Sequence, residues 1–154
     1  MSQGLAYRYF ANKDAIFKEL VVQAAQAGPP ILQQILKMPD TAGKRLHLLV
    51  SRIFENQGEC LEFYRLSMNA INDDATPDDL RKLLRRPGQT YQAVMRQLIV
   101  EGQASGEVAS GDPDQMVIVI MACLDGLSSL AVRNPERFKK HYPDVGIILQ
   151  ILKP

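Results

Sequence analysis

The stretch Met1-Ser-Gln-Gly-Leu-Ala-Tyr-Arg-Tyr-Phe-Ala-Asn-Lys-Asp-Ala-Ile-Phe17 decides how the chain is read. Ser2 to Phe10 reads as one short helix, and Ala11-Asn12 breaks it. Asn12 can cap a second helix, its side-chain oxygen accepting from free N–H groups of the first turn. Lys13 then stands beside the positive end of that helix, where a cation could meet a phosphate.

The order Ser-x-Gly-x-x-Tyr-x-Tyr-Phe-x-Asn-Lys-x-x-Ile-Phe resembles the tetracycline-repressor (TetR) family of bacterial transcription regulators. That resemblance implies the second half of a helix-turn-helix. It also implies a small domain that binds operator DNA and a larger all-helical domain that binds a small effector and forms a two-fold dimer. The recognition helix of such a motif enters the major groove. Carried over by position, Ser2, Gln3 and Gly4 would lie at the groove end of that helix. Tyr7 would face the DNA backbone or a base, and Lys13 would neutralise a phosphate. Tyr9 falls where a backbone contact and inward packing are both open, whereas Phe10 would pack inward. The likeness is sharp over Ser2 to Phe17 and rests beyond that on helix order.

The family carries two further helices before this point, and they hold the recognition helix in place. A lone short helix is marginal in water, so DNA binding by the chain as it stands is expected to be impaired. The family usually has Val before this Ser, and a GTG codon encodes Val inside a gene but Met at a start. The expectation is therefore that Met1 is an internal GTG; a trimmed chain or a decayed gene would leave the same residues.

A chain of 154 residues is expected to form one domain with a substantial core. The formal charge of +1 gives no steering toward nucleic acid, which suits a chain that is mostly effector domain. No charged run followed by an apolar block marks a signal peptide. The longest apolar run, Met116 to Leu124, is shorter than the ~20 residues that span a bilayer. Cys60 and Cys123 make no disulfide framework and sit in apolar helical patterns, as buried thiols do. A cytoplasmic protein is expected, with no membrane partner.

The rest of the chain reads as helix. Ile16, Phe17, Leu20, Val21 and Ala24 form one stripe, and Gly28-Pro29-Pro30 is expected to kink or break it before Ile31, Leu32, Ile35 and Leu36 resume. Leu46, Leu49, Val50, Ile53 and Phe54 form the next stripe, ended by Gly58. Leu61, Tyr64, Met68 and Ile71 mark another. Thr76-Pro77-Asp78-Asp79 reads as a cap, a proline at the first helical position and acids at the positive helix end. That helix is expected to stop at Pro87-Gly88, with Tyr91, Val94, Met95, Leu98 and Ile99 on a separate one. Asp112-Pro113-Asp114-Gln115 starts the most apolar helix, which Asn134-Pro135 closes near Arg133. A short helix over Asp144 to Lys153 is the last.

The last two of these helices are apolar nearly all round, and such a helix must be covered on more than one side. Packing on a second copy is the economical cover, and an isologous two-fold contact is the commonest geometry. Val117, Met121, Leu124, Asp125, Ser128, Ile148, Ile151 and Leu152 are the expected dimer-interface residues. Asp125 is the oddity among them, since an unpaired carboxylate is costly to bury. Pairing with an Arg or Lys, capping across the dimer and meeting a cationic ligand are all open to it.

No catalytic constellation stands out. His47 and His141 lack metal-spaced partners, there is no phosphate-binding Gly-rich loop, and Ser128-Ser129 lacks a nucleophile elbow. Neither an enzyme nor a metal or cofactor protein is expected. The run Arg81-Lys82-x-x-Arg85-Arg86 lies opposite Leu80, Leu83 and Leu84 and reads as a solvated face. The resemblance places a small, mostly apolar effector between the central helices. Phe54, Tyr64, Met68, Asn69, Tyr91, Met95 and Cys123 are the expected lining residues, with ordinary core packing as the alternative for each.

These readings converge on an all-α chain. Residues 1–17 are read as the remnant of the DNA-binding domain and residues 18–154 as the effector-binding and dimerisation domain. The implied protein is a homodimeric, ligand-responsive repressor acting on operator DNA. A free-standing dimeric helical module that binds a ligand or a protein, and no DNA, is the alternative.

Overall fold

The computed structural model describes residues 13–59, 61–141 and 143–154, and for 13, 14, 24, 25, 27–29, 56–59, 61–65, 139 and 151 the backbone alone. Among the described residues seven α-helices follow one another: α1 (Lys13–Lys37), α2 (Ala42–Glu59), α3 (Leu61–Asn72), α4 (Asp78–Ala104), α5 (Pro113–Arg133), α6 (Pro135–Lys140) and α7 (Val145–Leu149). A 3-10 turn, Gln150–Leu152, ends the last one. The fold is all-α, and among the described residues there is no strand.

Helix α4 is the axis of the fold. It packs against α1, α2, α3 and α5, and its residues Met95, Leu98 and Ile99 are fully buried. The α2 stripe meets it: Leu46, Leu49, Val50, Ile53 and Phe54 are all buried, as their spacing predicts. From α1 come Val21, Leu32 and Ile35, whereas Leu20 of the expected stripe turns outward.

Two helices pass through prolines at which the sequence predicts a break. Helix α1 continues through Gly28-Pro29-Pro30. Helix α4 continues through Pro87-Gly88. An internal proline removes one ladder bond and costs roughly 3 kcal/mol. Helix α4 has half-buried Leu83 and Leu84 on one side of Pro87 and the core residues on the other, and this packing holds it together. The start of α4 also differs from the reading. Pro77 is the cap residue, its carbonyl accepting from the Arg81 N–H at 3.0 Å, and the helix start has no side-chain cap from Thr76.

The start signal at Asp112 holds: it accepts from the Asp114 and Gln115 N–H groups at the head of α5. Asp144 caps α7 in the same way, accepting from the Gly146 N–H. Asn134 closes α5 and also caps α6, a short helix that the sequence reading missed. Between α4 and α5 the chain reverses at Gly106, whose φ of +76° is a left-handed conformation suited to glycine. Val108 then folds back to a buried seat over Gly102, where a β-carbon would lie 2.5 Å from its Cγ2.

Helix α5 buries Val117, Ile120, Leu124, Ser128 and Ala131 and exposes Ile118, Val119, Leu130 and Val132. The expected interface residues Val117, Leu124, Ser128, Ile148 and Leu152 therefore belong to the chain's own core. Met121 is half-buried, and the side chain of Ile151 lies outside the described residues. Because both faces are apolar, α5 is long and apolar enough to cross a membrane by composition, which the nine-residue run alone did not suggest.

One polar clamp ties three elements. Arg45 of α2, its side chain only 14% exposed, donates through Nη1 to the Leu36 carbonyl at 3.0 Å and through Nη2 to Glu101 of α4 at 2.6 Å. The first bond satisfies a carbonyl in the last turn of α1, which has no partner within its own helix. The Gln97 amide, and after it the Arg45 guanidinium, hold the Glu101 carboxyl below the ordinary carboxylate range. Replacing Arg45 with Leu should cost about 1–3 kcal/mol, because two acceptors lose a partly buried donor. A depressed carboxyl stabilises the fold above its unfolded pKa of about 4.3 and ceases to do so as pH falls through the folded value. In urea titrations Glu101→Gln should thus be less stable than the parent at pH 7, with the gap closing below about pH 4.

Candidate effector cavity

Helices α2, α3, α4 and α5 leave between them a cavity of about 530 Å³. Ile53 reaches it from α2, Met68 and Ile71 from α3, and Met121 and Asp125 from α5. The longest wall is α4 from Leu84 to Gln92. There Pro87 and Gly88 carry no long side chain, and no atom lies within 4 Å of where a Gly88 β-carbon would be. The space thus opens beside the proline turn of the helix. Its size falls in the range of small-molecule sites, and its character matches theirs, with apolar walls and a few polar groups. Those groups are Arg85, Gln89, Gln92, Asp125 and the half-buried Tyr91. Burial pushes the Tyr91 phenol above its ordinary pKa, so it remains a neutral hydroxyl able to donate.

Two other depressions are less suited. One of about 590 Å³ lies among Thr41, Lys44, His47 and Glu107, on the outside of the α2 start. Glu107 already accepts there from the Gly43 N–H, and His47 is exposed, with Nδ1 3.3 Å from the Ser51 hydroxyl. The other, about 450 Å³, lies beside the exposed Lys18–Asp79 ion pair.

Of the expected effector residues, Met68 and Tyr91 meet in the cavity. Phe54 and Met95 belong to the core, and Cys123 is half-buried against it. Asn69 is exposed on α3, so its polar tip needs no buried partner. The Tyr64 side chain lies outside the described residues, as does Cys60. Met121 and Asp125, expected at a dimer contact, line the cavity. Asp125 is exposed and has an interaction within the chain, so it bears no burial penalty. Sequence reading missed Arg85, Gln89 and Gln92. Their i, i+4, i+7 spacing on one face of α4 is a signal, but a split of α4 at Pro87 conceals it.

The expected DNA-contacting residues Ser2, Gln3, Gly4, Tyr7 and Tyr9 lie outside the described residues. Lys13 begins α1, with its side chain undescribed. Among the described residues no group of His, Cys, Asp and Glu could hold a metal ion.

Two all-helical transcription regulators of known structure share this fold. The crystal structure of the MbdR regulator from Azoarcus sp. CIB superposes with a TM-score of 0.77 at 23% identity, over 98% of this chain and 83% of that one. The transcriptional regulator FadR from Bacillus subtilis, solved in complex with stearoyl-CoA, superposes with a TM-score of 0.64 at 20% identity. That match covers 98% of this chain and 78% of FadR. No protein of curated function matches the sequence. Residues 42–142 match the family described as BetI-type transcriptional repressor, C-terminal, and this chain belongs to that family, within the TetR regulators. The family is one of transcription regulators and not of enzymes.

If the cavity is a binding site, filling it should close it. Met121→Trp should weaken uptake of the neutral apolar dye Nile red at least about tenfold, the cost of losing roughly 1.4 kcal/mol of apolar contact. Circular dichroism should be unchanged. Dye binding equal to the parent's would show that the cavity is not the apolar site.

Proposed function

We propose that this chain is the effector-binding and dimerisation part of a ligand-responsive TetR-type repressor. Residues 18–154 form that part, and residues 1–17 belong to the DNA-reading domain, with Ser2, Gln3, Gly4, Tyr7, Tyr9 and Lys13 at the operator. The observation that carries the reading is the cavity between α2, α3, α4 and α5, inside the region that matches the family. A small, mostly apolar effector occupies it. The stearoyl-CoA in the FadR structure supports an apolar body of this kind and makes long-chain acyl thioesters reasonable first probes.

Effector entry acts on DNA through α4. The helix forms the cavity wall over Leu84 to Gln92 and packs against α1, the helix that follows the recognition segment. A ligand that prefers one placement of α4 shifts the population toward it. Two recognition helices must meet half-sites about 34–36 Å apart, so a small respacing breaks simultaneous contact. The protein works in the cytoplasm, where the operator is.

The homodimer forms through the outer face of α5. Ile118, Ala122, Gly126 and Leu130 make an exposed uncharged stripe, and Ile118 and Leu130 are 66% and 55% exposed. Ile147 of α7, 60% exposed, adds a further apolar group. The inner residues of α5 and α7 serve the chain's own core, so this outer stripe replaces them as the partner surface.

Two measurements test the proposal. Ile118→Asp should convert a dimer to a monomer in light scattering at micromolar protein while helicity is kept, and a persistent dimer would place the interface elsewhere. Selection of bound duplexes from a random pool should return a two-fold symmetric site whose affinity falls steeply with salt. Recovery of no preferred sequence by a form that carries a full helix-turn-helix domain would favour a ligand-binding module that does not regulate transcription directly.

A further inference from the structure

The basic run on α4 is not one uniform solvated face. Arg81 is structural: its Nη2 donates to the Thr76 carbonyl at 2.9 Å and to those of Asp73 and Asp74 at 3.3 and 3.4 Å, fastening the loop between α3 and α4. Arg85 lies one turn further along and lines the cavity. Lys82 and Arg86, exposed like Arg85, stand on neighbouring positions of the same two turns. Among the described residues no carboxylate pairs with Lys82, Arg85 or Arg86; the exposed Lys37, Arg133 and Lys153 are likewise unpaired, and what distinguishes Arg85 is its place on the cavity wall. Three uncompensated positive charges thus gather where α4 borders an apolar cavity. Asp125 on α5 is the acid of the lining, and it already has an interaction of its own.

We infer that the cavity takes an amphipathic anion: an apolar body among Ile53, Met68 and Met121, and a phosphate- or carboxylate-bearing head held at the rim by Arg85, with Lys82 and Arg86 adding to its field. This inference rests on the reading of the cavity as the effector site. A guanidinium at the edge of an apolar wall is the arrangement that suits such a head. Its planar fork matches carboxylate and phosphate oxygens, and the low-dielectric wall strengthens the attraction. Gln89 and Gln92 continue the polar side of the same helix and can donate to oxygens beyond the reach of Arg85. A neutral ligand would fill the same walls but leave the rim charges in water, so charge selects among ligands of equal apolar size. Head-group selection therefore belongs to Arg85, and body selection to the methionines.

The test is calorimetric titration of the full chain with decyl phosphate, decanoate and decanol, which share one tail. At least one of the two anions should bind about tenfold tighter than decanol, the worth of one charge-assisted hydrogen bond. Whichever anion binds tighter identifies the head. In Arg85→Gln that preference should fall below about threefold, while decanol binding stays at the parent level. Lys82→Gln/Arg86→Gln should reduce the preference less and chiefly at low salt, as a screened field does. Equal binding of all three probes by the parent, or an unchanged preference in Arg85→Gln, overturns the inference and leaves the apolar cavity standing. Failure of all three to bind, with Nile red also excluded, removes the inference together with the cavity reading on which it rests.

Discussion

Helix α4 must satisfy two demands at once, and the rest of the fold is arranged around that constraint. Its second half is core, with Met95, Leu98 and Ile99 sealed from water beneath α2. Its first half faces a cavity and solvent, and carries Pro87, Gly88 and a row of cations. A separate short helix over the first half would be marginal in water. Joined without a break to a buried half, it is held in register by burial that it does not itself provide. The missing ladder bond at Pro87 is tolerated for the same reason, and the turn that lacks it is the one where the walls part.

The polar contacts reinforce that arrangement at its ends. Arg81 gathers three carbonyls of the loop that precedes α4. At the other end Arg45 grips Glu101 and the last turn of α1 together. Beyond Glu101 the chain turns at Gly106 and seats Val108 on Gly102, and the Ala109 N–H then reaches the Leu152 carbonyl at 2.8 Å. Both ends of the helix are pinned while the part between them borders open space. On the proposed reading, an effector would act on the middle of the helix and its packing on α1.

The helices themselves were legible because most amphipathic stripes keep one phase. The α2 stripe and the Asp112 start signal appear in the structure as the residues imply. Three features were not legible. Proline marks a local cost, and sequence does not report the tertiary burial that offsets it, so α1 and α4 were each expected to be interrupted. Helix α5 is apolar on both faces, so its pattern has no phase to show which face turns inward. Ile118 and Val117 look alike in sequence, and only packing separates the exposed one from the buried one. The cavity drew on Arg85, Gln89 and Gln92, polar residues that a search for apolar lining passes over, while Phe54 and Met95 were absorbed by the core.

The outer stripe of α5 also bears on how long the protein lasts. Ile118, Val119, Leu130 and Ile147 on a lone protomer form the sort of surface that chaperones and proteases engage. In the proposed dimer that surface is withdrawn. Newly made chains below the concentration needed to pair would then be cleared faster than paired ones. Cellular abundance would rise more steeply than synthesis, sharpening the difference between a cell that holds enough of the regulator and one that does not.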